Sequence, residues 1–147
     1  MQTKQHAHGA LIILPILLAA GVIAYGLTLS SSSCTLYFPD QHATNLVRER
    51  RVLSPIGNPE ERSRRVLDEL ALGPMNHKLQ PLLPNGAQIR LVMQRSGTLY
   101  VDIELANLAD SKIRFPLIKE AIEKSLKTSV PGSGSIKLFI NGIETSK

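Results

Sequence analysis

The chain has 147 residues, a formal net charge of +5 and a hydrophobic fraction of 43%, and this length is typical of one domain. Its single cysteine excludes an intramolecular disulfide framework and a Cys-x-x-Cys redox or zinc site. The absence of tryptophan and an aromatic content of 4% argue against a surface that stacks the bases of single-stranded nucleic acid.

Residues 10–29 are predicted to form a transmembrane signal anchor. They include 16 apolar residues and no charged one, and twenty helical residues rise about 30 Å, the thickness of a bilayer's hydrocarbon core. We predict a cytoplasmic tail at residues 1–9, a spacer at 30–34 and an extracytoplasmic domain at 35–147, because a long trailing domain is translocated largely regardless of its charge. The expected location is the bacterial cytoplasmic membrane, spanned once.

Two alternatives to an uncleaved anchor stay open. In a cleaved signal peptide, Ser31 and Ser33 are small enough to suit the processing enzyme. In a lipoprotein signal, the apolar segment ends at Cys34, whose thiol then carries the lipid. The three serines before Cys34 lack the apolar residue usual in such signals.

The first part of the domain is predicted to contain two strands and a helix. Residues 35–40 form a short strand that Pro39 stops, and residues 46–53 form a second one. The helix begins at Asn58-Pro59, where an asparagine cap and a proline at the first helical position are favoured. It buries Val66, Leu67, Leu70 and Ala71 on one face and ends at Gly73-Pro74.

The second part is predicted to contain a hairpin, a helix and a last strand. Ile89, Leu91 and Met93 alternate with polar residues, as do Leu99, Val101, Ile103 and Leu105, on either side of a turn at Ser96-Gly97. A helical stripe follows, formed by Ile118, Ala121, Ile122, Ser125, Leu126 and Ser129. The last strand contains Ile136, Leu138 and Ile140. The order β-β-α-β-β-α-β predicts an α+β two-layer sandwich in which one mixed sheet carries both helices on one face.

No catalytic residue, cofactor or metal site is predicted. Asp102 and Glu104 share a strand face about 7 Å apart, which is more typical of a solvated surface than of an acid/base pair. The sequence contains no GxSxG, Walker A or HExxH motif.

Arginines concentrate in and after the second predicted strand, and they are the candidate contacts with an anionic ligand or partner. They are Arg48, Arg50, Arg51, Arg62, Arg64 and Arg65. Such a cluster suits anionic lipid headgroups, acidic wall polymers or an acidic protein face. The interleaved acids Glu49, Glu60 and Glu61 also fit an ordinary surface of mixed charge, and nucleic acid is not an expected partner outside the cytoplasm.

Several short motifs, in their order and spacing, resemble the GerM-type (GerMN) domain of sporulation and spore germination. They are Leu-Tyr-Phe-Pro-Asp at 36–40, Leu-Gly-Pro at 72–74, Leu-Pro-Asn-Gly at 83–86, Tyr-Val-Asp at 100–102 and Ile-Asn-Gly at 140–142. Within them, the motif residues that we interpret as scaffold are Tyr37, Phe38, Pro39, Gly73, Pro74, Pro84, Gly86, Tyr100, Asp102 and Gly142.

The resemblance implies a membrane-tethered, non-enzymatic extracytoplasmic module that assembles with other envelope proteins, as ring or channel components do. The assembly is expected to be a homo-oligomer or a hetero-oligomeric ring. The alternative is a ligand-binding or sensory module for wall fragments or acidic polymers, which the arginines motivate.

Overall fold

The computed structural model describes residues 15–25, 33–54, 56–106 and 114–145. The chain divides into two compact units, residues 1–32 and residues 33–147. The second unit begins at Ser33, within the spacer predicted at 30–34, and residues 30–32 of that spacer lie outside the described ones.

The first unit contains a helix, α1, at residues 15–25. Its apolar side chains are exposed, among them Ile16, Leu17, Leu18, Val22, Ile23 and Tyr25. Residues 1–14 and 26–32 are outside the described part, so α1 represents only the middle of the predicted anchor. Within the described residues, no helix is both long enough and apolar enough to span a bilayer.

Two antiparallel strands open the second unit. Strand β1 is Ser33–Pro39 and strand β2 is Leu46–Val52, with Leu36 directly opposite Glu49. Cys34, Leu36 and Phe38 alternate along β1 and are buried in the core, which confirms the first predicted strand.

Asp40 holds together the turn between β1 and β2. Its carboxylate accepts hydrogen bonds from the backbone N–H groups of Thr44 and His42, at 2.9 and 3.2 Å, and from Nδ2 of Asn45 at 3.2 Å. The bonds from Thr44, which has the largest effect, and from Asn45 lower the pKa of Asp40 to about 2, because they favour the ionised carboxylate.

We expect acid to weaken the fold through this turn. The folded pKa of Asp40 lies below its ordinary value of 3.8, so the contribution to stability is present above that value and is lost as pH falls from about 4 to about 2. Asp40→Asn keeps an acceptor oxygen but does not titrate, so its stability difference from the unsubstituted protein should shrink over this range. Urea midpoints of the full chain in detergent between pH 2 and 6 measure this difference. Asp68→Asn on the exposed face of the following helix is the control, and a pH-independent difference for Asp40→Asn would contradict the expectation.

Helix α2 spans Pro59–Leu72 and begins as its sequence predicts. Oδ1 of Asn58 accepts a hydrogen bond from the backbone N–H of Glu61 at 2.9 Å, and Pro59 is the first helical residue. The helix buries Val66, Leu67 and Leu70, and Gly73 ends it with a positive φ of 86°.

A second sheet of four strands completes the unit, together with helix α3 at Phe115–Ser129. The strands of this sheet lie in the order β3 (Gln88–Arg95), β4 (Thr98–Glu104), β5 (Ser135–Ile140) and β6 (Ile143–Glu144). Strands β4 and β5 are parallel, whereas the other two pairs are antiparallel. The predicted turn at Ser96-Gly97 is confirmed, since both residues have positive φ, as a two-residue hairpin requires. The short strand β6 was not predicted.

A β-bulge makes the predicted alternation in β3 wrong. The register with β4 shifts between Ile89 and Leu91. Ile89 faces the core, but Leu91 and Met93 are 46% and 38% exposed, while Val92 packs against the core instead. One extra residue moves every later side chain of the strand to the opposite face.

The prediction of one mixed sheet is also wrong, because helix side chains occupy the strand edges at which the two sheets would join. Oγ of Ser125 accepts from the backbone N–H of Tyr37 at 2.9 Å. Oγ of Ser129 accepts from the N–H of Thr35 at 2.9 Å and donates to its carbonyl at 2.8 Å. Helix α3 therefore covers the edge of β1 that faces away from β2.

Helix α2 covers the outer edge of β3 in a similar way. The carboxylate of Glu60 accepts from the backbone N–H of Gln94 at 2.7 Å, and Nη2 of Arg64 donates to the carbonyl of Ile89 at 3.2 Å. The two sheets and both helices share one core. Its fully buried side chains include Leu36, Phe38, Leu67, Leu70, Leu82, Leu99, Val101, Ile103, Ile118, Ile122 and Leu126.

Candidate functional site

The six arginines of the predicted patch do not form one surface, and Arg51 is the clearest departure. Its side chain is 8% exposed. The guanidinium binds Glu49 through Nε at 2.9 Å and Nη2 at 2.7 Å, and binds Glu69 of α2 through Nη1 at 2.6 Å. It also donates to the carbonyl of Gly73 and lies 5.4 Å from the centre of the Phe38 ring. Arg51 therefore ties β2 to the end of α2.

The surroundings of this cluster keep its groups ionised. Burial alone would raise the pKa of Glu49, but hydrogen bonds from Arg51 and from the N–H groups of Met75 and Asn76 outweigh it, and the pKa is lowered. Burial alone would lower the pKa of Arg51, but its bonds to Glu69 and Glu49 raise it. The charge of Arg51 is offset inside the fold by Glu49 and Glu69. Each of the three guanidinium nitrogens already donates a hydrogen bond within the domain, so Arg51 is not a contact for an external anion.

Three further arginines of the predicted patch also bond within the domain. Nη2 of Arg62 donates to the carbonyl of Ser129 at 3.4 Å, which joins α2 to α3. Arg64 covers the edge of β3, and Arg65 donates to the carbonyl of Ile56. Their backbone partners lie on three different segments, so the structure does not bring these side chains together.

Arg48 and Arg50 differ from the other four. Both are exposed residues of β2. In the described part of the chain, neither side chain has an ion pair or a hydrogen bond. Because they are two residues apart on a strand, they lie on the same face about 7 Å apart. The anion-contact prediction therefore stays with this pair.

Cys34, the predicted lipidation residue, lies in β1 and is 4% exposed. Burial raises the pKa of its thiol, and the negative charge of Glu69 adds to this effect. Attachment of a lipid to Sγ requires the start of β1 to leave the core.

Most of the motif residues have contacts that explain them as scaffold. Phe38 and Pro39 are buried, and Gly73 ends α2 just before Pro74. Oδ1 of Asp102 accepts from the backbone N–H of Gly142 at 3.1 Å, so two of the motifs meet at the turn between β5 and β6. Tyr37 donates its N–H to α3.

The loop motif is also structural. The carbonyl of Pro84 accepts from the N–H of Ala87 at 3.2 Å, which forms the turn that leads into β3. Gly86 has a positive φ of 83° within that turn. Leu82 and Leu83, which lie beside these residues in sequence, are buried.

The outer face of the four-stranded sheet is a surface that the sequence did not reveal. We call it the open sheet face and define it by Leu91, Met93, Tyr100 and Phe139. The rings of Tyr100 and Phe139 stack with centroids 6.5 Å apart, and Leu91 and Met93 are exposed beside them. The register places these residues on the side of the sheet away from the core. Strict alternation along β3 places Leu91 and Met93 in the core, and the bulge at Arg90 turns them outward. This bulge was not predicted from the sequence.

Two ion pairs flank the open sheet face. Nε of Arg90 lies 3.9 Å from Oε2 of Glu104, and Nζ of Lys137 lies 3.2 Å from Oε1 of Glu144. Asp102 lies on the same face, opposite Leu91 on one side and Phe139 on the other. The face therefore combines apolar, aromatic and charged side chains, with both signs of charge at its edges. Residues 15–25, 33–54, 56–106 and 114–145 contain no cluster of three or more side chains suited to holding a metal ion.

Solved structures of GerM domains have the same fold. The first GerMN domain of the Bacillus subtilis sporulation protein GerM superimposes with a TM-score of 0.55 at 19% identity, over 76% of this chain and 85% of that one. The tandem GerMN domains of the same protein give a TM-score of 0.53 at 17% identity, over 78% of this chain and 41% of that one. No curated protein sequence matches the chain.

The family comparison covers the whole second unit except its first two residues and its last one. The matching family model is Germane, sporulation and spore germination, over residues 35–146. This match confirms the resemblance that the motifs indicate, and the chain therefore belongs to the Germane family of sporulation and spore germination domains.

Proposed function

We propose that the chain is a single-pass protein of the bacterial cytoplasmic membrane whose extracytoplasmic domain is a non-enzymatic assembly module of an envelope complex. Its partners are other envelope proteins or further copies of this chain, and the complex is a hetero-oligomeric ring or a homo-oligomer. Membership of the family of sporulation and spore germination domains supports a role in an envelope complex. The open sheet face is the observation that carries the assembly role.

Aromatic residues and methionine are enriched at protein–protein interfaces relative to the rest of the surface. In the open sheet face, Leu91 and Met93 remain exposed beside the Tyr100–Phe139 pair. The edges of the face carry both signs of charge through Arg90–Glu104 and Lys137–Glu144. Edges of mixed charge suit a protein surface better than an anionic membrane or an acidic polymer.

The membrane anchor is supported by the composition of residues 10–29 and by α1. A helix that is apolar all round is typical of a protein core or a membrane span. In α1, the exposed apolar side chains include Leu17, Leu18 and Val22. The rest of the predicted span, residues 10–14 and 26–29, carries no charge.

Crosslinking in intact membranes tests the assembly role. A photoreactive amino acid at Met93 of the full chain should yield an adduct with an envelope protein, because Met93 lies in the open sheet face. The matched control carries the same amino acid at Thr128, an exposed residue of α3, and should yield little adduct. Equal adducts from both positions, or none from Met93, would overturn the assembly role at this face.

Protease treatment of spheroplasts tests the topology independently. The domain should be digested while a cytoplasmic marker in the same cells stays intact. A domain that is protected as fully as the marker would contradict the extracytoplasmic location.

The second candidate function is a module that binds wall fragments or acidic polymers. It rests on Arg48 and Arg50, since Arg51, Arg62 and Arg64 bond within the fold. Binding should weaken with added salt and with replacement of the two exposed arginines.

A further inference from the structure

The outer edge of β2 has backbone groups that no part of the described chain covers. Thr35 and Tyr37 direct their backbone N–H groups away from β2, toward the serines of α3. Arg50 and Arg48 lie directly opposite these two residues. In an antiparallel pair, opposite residues either bond to each other or both point away. The N–H and C=O groups of Arg48 and Arg50 therefore point outward, away from β1.

This edge contrasts with the two covered edges of the domain. Helix α3 covers β1 through Ser125 and Ser129, and helix α2 covers β3 through Glu60 and Arg64. For Arg48 and Arg50, no hydrogen bond from the described residues reaches the outward backbone groups. An uncovered strand edge is a template that another extended chain can pair with.

The charge of the edge selects the occupant. Arg48 and Arg50 lie on one face of β2 and are not neutralised, because Glu49 points to the other face and binds Arg51. An added strand places its side chains directly opposite those of the edge strand, about 5 Å away, and opposite charges there stabilise the pair. We propose that the outer edge of β2 binds an extended acidic segment of a partner protein, which joins the first sheet as its third strand.

A second copy of this chain does not fit the same edge. Antiparallel pairing of two β2 strands about Glu49 would place Arg48 of one copy opposite Arg50 of the other, and like charges in that position are destabilising. The net charge of +5 also disfavours self-association by charge. The occupant is therefore a different protein. This inference rests on the proposed assembly function but uses a surface separate from the open sheet face.

A synthetic peptide tests the edge directly. The probe is a fluorescent ten-residue peptide of alternating glutamate and threonine with blocked ends, and its binding to the full chain in detergent is measured by anisotropy at low salt. The double variant Arg48→Ala, Arg50→Ala should bind about tenfold more weakly, since it loses two charge pairs across the strands. The control Lys78→Ala, Arg95→Ala removes the same charge from exposed positions elsewhere and should bind as the unsubstituted chain does.

Two N-methylated peptides separate strand addition from simple attraction of charge. One is methylated at its glutamates and the other at its threonines, so one of them loses every N–H that faces the edge. That peptide should fail to bind, and amide exchange at Arg48 and Arg50 should slow when the parent peptide binds. Binding of both methylated peptides as tightly as the parent would assign the arginines to an anionic polymer and overturn the proposal. An affinity that the double variant leaves unchanged, or no binding at all, would also overturn it, whereas the adduct at Met93 would be unaffected.

Discussion

Replacing Arg51 with alanine is expected to lower the free energy of unfolding by about 3–5 kcal/mol, the usual cost of removing one partner of a buried ion pair. The Arg51 side chain is 8% exposed and those of Glu49 and Glu69 are 12% and 30% exposed. Without the guanidinium, the two carboxylates repel each other in a poorly solvated position. Because a small domain is stable by only about 5–15 kcal/mol, this loss is a large part of its stability.

The neighbouring residue, Arg50, provides the control for Arg51→Ala. Arg50→Ala removes the same side chain from an exposed position, and its effect should stay within about 0.5 kcal/mol. Arg51→Lys should recover only part of the loss, since one ammonium cannot reach Glu49, Glu69 and the carbonyl of Gly73 together. Urea unfolding of the full chain in detergent, followed by circular dichroism, measures all three variants. Equal midpoints for Arg51→Ala and Arg50→Ala would show that the cluster contributes little.

Local chemistry made the helices and the hairpin predictable from sequence. Asn58 and Pro59 specify the start of α2, and Ser96-Gly97 specifies a two-residue turn, because each acts on backbone within a few residues of its own position. The contact between Asp102 and Gly142, in contrast, joins two motifs that are 40 residues apart in the chain.

The features that the sequence did not predict depend on contacts between distant segments. Ser125 and Ser129 fit the buried stripe of α3, but nothing in their spacing shows that they bond to β1 and keep the sheets apart. Arg51 has the same local pattern as Arg50, and only the position of Glu69 separates a core residue from a surface one. The bulge beside Arg90 has no glycine to signal it, so the open sheet face was missed.

The turn between α3 and β5 should tolerate no side chain at Gly134. A Cβ built there lies 1.9 Å from the carbonyl oxygen of Gly97, and φ is +65°. That carbonyl accepts a hydrogen bond from the backbone N–H of Ser135 at 3.2 Å, so it cannot move away without breaking the bond between the turn and the β3–β4 hairpin. Left-handed backbone costs a residue with a Cβ about 1–2 kcal/mol, and forced crowding adds about 1–3 kcal/mol.

Gly134→Ala should therefore lower the free energy of unfolding by about 2–5 kcal/mol, the sum of those two costs. Gly132→Ala in the same turn is the matched control. Its φ is +85°, but a Cβ there meets nothing within 4 Å, so only the backbone cost of about 1–2 kcal/mol applies. Urea midpoints of both variants in the full chain isolate the cost of the contact with Gly97. If the two variants unfold at the same urea concentration, the contact with Gly97 adds no cost. That result would show that the turn relaxes away from the β3–β4 hairpin.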